Sequence, residues 1–70
     1  MYYYIVYFPD TNEYLEDLMY LCKQLSDDIF LIKYTKDEKA AAHLCERDAR
    51  EVCEQVRKQY KREAEIIVCF

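Results

Sequence analysis

His43 and Ser26 are the only histidine and the only serine in this chain. A Ser-His-Asp nucleophile would have to be built from those two, and nothing in the sequence places them together. His43-x-Cys45 and Cys53 bring metal-capable groups close along one segment. Zinc sites usually rest on closely spaced cysteine pairs, and none occurs here. On an ideal helix His43 and Cys45 would point about 200° apart, which keeps them off one ion. A redox Cys-x-x-Cys is also missing. The chain has no glycine. Nucleotide-binding loops need glycine so that backbone N–H groups can approach phosphate, so those fingerprints are excluded. Carboxylates are plentiful, but no readable feature pairs them, and so short a chain has little room for a pocket of about 300 Å3. The expectation is no catalysis, no cofactor and no metal.

Three constellations suit binding. His43, Arg47, Arg50, Arg57 and Lys61 recur at steps of three, four and seven, which would align them on one side of a helix, with Lys58 and Arg62 near its end. Such a stripe could grip phosphates. The plainer reading is a solvated helix face neutralised by Glu46, Glu51 and Glu54. A net charge of −4 and a pI near 4.9 favour the plainer reading. A second cluster is acidic: Asp10, Glu13, Glu16, Asp17, Asp27 and Asp28. It could meet a basic partner surface, although helix capping explains Asp10 and Glu13, and turn chemistry explains Asp27 and Asp28. The third is a set of eight tyrosines. Tyrosine has an apolar body and a polar tip, so it is enriched at interfaces. Strand alternation puts Tyr2 and Tyr4 on one face, and Tyr3 and Tyr7 on the other. A core this small cannot satisfy eight phenols, so some must be exposed.

These residues need elements to hold them. Seventy residues allow one small domain, 1–70. Tyr2 to Phe8 reads as a strand, a β-branched and aromatic run ended by Pro9. Asp10 with Glu13 reads as a capping box opening a first helix. Its apolar positions Tyr14, Leu15, Leu18, Met19, Leu21, Cys22 and Leu25 keep three- and four-residue steps. Ile29 to Tyr34 reads as a second strand. Thr35-x-x-Glu38 then predicts a long second helix reaching Lys61, with Ala41, Leu44, Cys45, Ala49, Val52, Cys53, Val56 and Tyr60 as its apolar stripe. Ala64 to Phe70 reads as the last strand. The β-α-β-α-β order predicts a small α/β domain: a three-stranded, mainly parallel sheet in order 2-1-3 with one helix on each face. Order 1-2-3 would instead leave one face bare and full of tyrosine.

The functional expectation is a non-enzymatic, cytoplasmic protein-binding module. It would be regulatory or inhibitory and occlude a surface of a larger host or cellular protein. A virus- or mobile-element-encoded inhibitor of a host defence nuclease would suit the size. The contact residues expected are Tyr3, Tyr7, Glu13, Glu16, Asp17 and Tyr20, with free sheet edges able to recruit a second copy. Nucleic acid gripped by His43, Arg47, Arg50, Arg57 and Lys61 is the alternative. No apolar run approaches a membrane span. No secretory signal is read at Met1-Tyr2-Tyr3-Tyr4, and the four cysteines are expected to be reduced core thiols.

Overall fold

Side chains that are β-branched or aromatic pack well on pleated backbone, and Tyr3–Phe8 forms strand β1. The computed structural model describes the backbone of residues 2–22 and 29–70 and the side chains of residues 2–18 and 31–70. A turn follows Pro9 and closes at Asn12, whose φ of 62° is left-handed and whose N–H donates to the Phe8 carbonyl at 2.9 Å. Asn tolerates that region better than most residues. Strand β2 (Glu13–Cys22), strand β3 (Ile29–Thr35), a 3-10 turn (Glu38–Ala40), helix α1 (Glu46–Tyr60) and strand β4 (Glu65–Cys69) complete the order.

The strands form one antiparallel sheet in the order β3-β2-β1-β4. This overturns the expected three-stranded, mainly parallel sheet with two helices and the order 2-1-3. β1 is nonetheless an interior strand, flanked by β2 and β4. The first predicted helix is β2. Its pairing with β3 shifts register between Leu15 and Asp17, and again between Tyr20 and Cys22. A bulge inserts one residue and shifts the alternation. Leu15 and Leu18, three apart, therefore both join the core under α1. That is the spacing of a helix face, produced by an irregular strand. The predicted helix end at Leu25 and the turn at Ser26, Asp27 and Asp28 lie outside the described residues.

The second predicted helix is shorter than expected. Thr35 Oγ1 accepts from the Asp37 N–H at 3.1 Å, and Asp37 Oδ1 from the Lys39 N–H at 3.0 Å. These local bonds cap the 3-10 turn, not a long α-helix. The chain then runs extended. Ala42 donates its N–H to the Leu15 carbonyl at 2.8 Å, and Leu44 exchanges both main-chain bonds with Tyr4, each at 2.8 Å. The β1–β2 pairing covers only Tyr7↔Tyr14 and Phe8↔Glu13. Residues 41–44 fill the gap where β2 leaves β1. The helix preference of three alanines is under 1 kcal/mol per residue over ordinary residues, and these cross-chain bonds outweigh it. The helix ends at Lys61, which caps it in the left-handed region at φ 54°.

α1 buries Ala49, Val52, Cys53 and Val56 against Val6, Phe8, Leu15 and Ala64. Burial pushes the Cys53 thiol pKa up. Cys45 is exposed at the helix N-cap and is not a core thiol, and Cys69 is half-buried. All three are free.

Candidate functional site: the face without a helix

Alternation divides β1 cleanly. Val6 and Phe8 point under α1, with Tyr4 packed beside them. Tyr3, Ile5 and Tyr7 therefore share the other face. Their register partners on β4 are Cys69, Ile67 and Glu65. On the other side Tyr7 is opposite Tyr14, with ring centroids 5.1 Å apart at 49°. The Tyr7 hydroxyl also donates to Asn12 Oδ1. Ala42 and Leu44 pack toward the helix side, so His43 between them emerges on the opposite face. There its ring stacks on Tyr3 at 3.9 Å and 22°. Ile5 is only 1 % exposed and Ala41 only 5 %. Among the described residues no helix covers this face. The result is a small apolar patch set among aromatic rings.

Two of those phenols are held above their ordinary pKa. The Tyr3 hydroxyl is raised above its ordinary pKa by the charge on Cys69, by desolvation and by Glu38. Tyr14 is raised by desolvation and then by Glu38 and its neighbours.

Of the predicted contact residues, Tyr3 and Tyr7 share this face, each against a different ring, His43 and Tyr14. Asp17 shares the face, opposite Lys33. Glu16 sits at the bulge and pairs with Lys33 Nζ at 2.7 Å. Glu13 is opposite Phe8 and lies 3.9 Å from Arg62, away from the rings. Tyr20 belongs to β2, and its side chain lies outside the described residues. The acidic first helix therefore does not exist: Glu13, Glu16 and Asp17 lie along β2, Asp10 lies in the turn before it, and Asp27 and Asp28 lie outside the described residues. The expected basic stripe is broken as well. His43 precedes α1, and Lys61 caps it, so only Arg47, Arg50 and Arg57 lie within it. Arg50 is engaged by Glu46 at 2.7 Å, and Arg47 lies 4.0 Å from Asp48.

Sequence reasoning missed Tyr14 and His43 as partners of Tyr7 and Tyr3. It also missed the role of Arg62. That guanidinium donates to both Asp10 oxygens at 3.1–3.2 Å and to Thr11 Oγ1. It lies over the Phe8 ring at 4.4 Å and the Tyr34 ring at 4.7 Å. It closes the open end of the core and ties the strand-four entry to the first turn. Asp10 is held below its ordinary carboxylate pKa by that hydrogen bond.

Among the described residues no group of three His, Cys, Asp or Glu side chains could hold a metal ion, and no helix is long and apolar enough to cross a membrane. Compared with known protein families, with curated proteins and with solved structures, the chain has no match.

Proposed function

We propose that this chain is a non-catalytic protein-binding module that docks a larger protein on the tyrosine face of its sheet. The observation that carries the reading is the gathering of Tyr3, Tyr7, Tyr14 and His43 on the one face that α1 leaves open. Rings with polar tips supply contact area at low conformational cost. Glu38, Glu65 and Asp17 add negative charge near them. Ring faces together with carboxylates suit a partner surface that presents arginine or lysine. Occluding such a surface needs no chemistry, which agrees with a regulatory or inhibitory role.

The test compares the two faces. A photo-crosslinking amino acid is placed at Tyr7 and, separately, at Arg47 on the outer side of α1, in the cells that express the protein. A single basic-surfaced protein captured at Tyr7 and not at Arg47 supports the reading. Equal capture at both positions, or none at Tyr7, overturns it. The nucleic-acid alternative rests on Arg47, Arg50 and Arg57. It requires binding that falls steeply with salt and is lost when all three are changed to Glu.

A further inference from the structure

The two edges of the sheet are treated differently. The β3 edge pairs with β2 through two register shifts and carries Lys33 in an ion pair with Glu16. Bulges and a lysine are common ways of discouraging another strand from adding. The β4 edge has neither. It pairs with β1 through five consecutive residues without a shift. Its only charged residue is Glu65, and it has no proline or lysine. Ile66 and Val68 are 36 % and 41 % exposed, on the same side as α1 but beyond its cover. Phe70 and Tyr2 continue this apolar strip, with ring centroids 5.0 Å apart.

The direction of the main-chain groups follows from one pair. Tyr4 spends both its N–H and its C=O on Leu44, on the side away from β4. Tyr4 and Val68 therefore form a non-hydrogen-bonded pair. Antiparallel alternation then points the N–H and C=O of Val68, and of Ile66 two residues earlier, out of the sheet edge.

We propose that β4 pairs with β4 of a second copy of this chain, antiparallel about a two-fold axis at Ile67. In that register Ile66 of one copy exchanges two main-chain bonds with Val68 of the other, and the axis repeats the exchange, so every outward group of these residues is satisfied. Each exposed Ile66 covers an exposed Val68. Ile67 meets its own copy in a non-hydrogen-bonded pair, and Glu65 faces Cys69, so no like charges oppose each other. The strand is self-complementary, as an isologous interface requires. The two sheets join into one of eight strands, with both helices on one side and both tyrosine faces on the other. The pair would therefore offer its partner two copies of the same docking face.

The experiment is sedimentation of the full chain across concentration, with two variants. Wild type is expected to dimerise, and Val68→Lys to weaken the dimer at least about tenfold while keeping its far-ultraviolet circular dichroism. Cα atoms of a non-hydrogen-bonded pair are about 4.5 Å apart, within disulfide reach. Ile67→Cys in a Cys69→Ser background should therefore form a disulfide-linked dimer on oxidation, while Cys69→Ser alone does not. A chain that stays monomeric up to roughly 1 mM, a dimer indifferent to Val68→Lys, or an Ile67→Cys protein that fails to cross-link would each overturn the proposal. Val68 lies on the α1 side of the sheet, opposite Tyr4, so the sedimentation of Val68→Lys leaves the tyrosine face unchanged and tests the dimer separately from the docking reading.

Discussion

The two faces of this sheet are made from alternate residues of the same strands, yet they are built on different terms. Under α1 the largest fully buried side chains are aliphatic or phenylalanine, Val6, Phe8 and Val56 having no exposure at all, and Tyr4 and Tyr34 pack against them. On the other face Ile5 is 1 % exposed between Tyr3 and Tyr7, whose rings pack on His43 and Tyr14 respectively. The first face excludes water by covering the sheet with a second element. The second does so with rings that keep a polar tip at the surface. Phenols occur on both sides, as Tyr4 and Tyr34 beside the core and as Tyr3, Tyr7 and Tyr14 on the other face, so the contrast lies in what covers the sheet: α1 on one side and ring pairs on the other.

The contrast breaks most visibly at Phe8. Phe8→Ala removes a fully buried ring at a cost of about 3–5 kcal/mol. A domain this small has about that much stability in total. Urea denaturation should show a chain largely unfolded without denaturant. A cooperative transition near that of wild type would mean α1 does not dominate stability. Arg62→Ala should follow, at about 1–2 kcal/mol, because it uncovers the Phe8 and Tyr34 rings and releases Asp10. Tyr7→Phe, on the open face, should change stability by no more than about 0.5 kcal/mol while weakening partner capture. A loss as large as that at Phe8 would make the tyrosine face a second core.

Two titrations sharpen the comparison at finer scale. Asp10 is depressed below its ordinary 3.8 by the hydrogen bond from Arg62. Stability drawn from it is present above that value and is lost as the pH falls through the lower, folded-state value. The gap in melting temperature between wild type and Asp10→Asn should therefore close in acid. A gap that does not change with pH would show that the carboxylate charge contributes nothing. Tyr3 and Tyr14 are raised above 10.0, so both favour the protonated fold. That contribution is complete below the ordinary value and disappears as the pH rises through the raised one. Tyrosinate absorbance should show a late-ionising fraction that Tyr3→Phe and Tyr14→Phe each reduce.

Much of the site was legible in outline. That Tyr3 and Tyr7 share a face follows from strand alternation, whereas a bare tyrosine-rich face is expected only for the less favoured order 1-2-3, since the preferred order puts a helix on each face. The companions were not legible. Tyr14 sits in a segment whose three- and four-residue apolar steps match a helix, because the bulge near Glu16 brings Leu15 and Leu18 to one side. His43 seemed to continue a helical basic stripe, because the bonds that hold its segment extended come from Leu15 and Tyr4, far away in the chain. Arg62 seemed one cation among several, because Asp10 lies 52 positions away.

Local chemistry alone determined β1, β3 and β4, the apolar stripe of α1 from Ala49 to Val56, the lack of glycine-dependent phosphate loops, and the surplus of phenols over what a small core can take. Tertiary structure decided that residues 13–22 extend, that residues 41–45 stay out of the helix, that the strands run antiparallel, and which tyrosines meet. The reason is physical. A side-chain pattern specifies its own period only while the backbone is regular. Where a bulge shifts the phase, or main-chain bonds are made to distant residues, the choice between helix and strand rests with the partner strand.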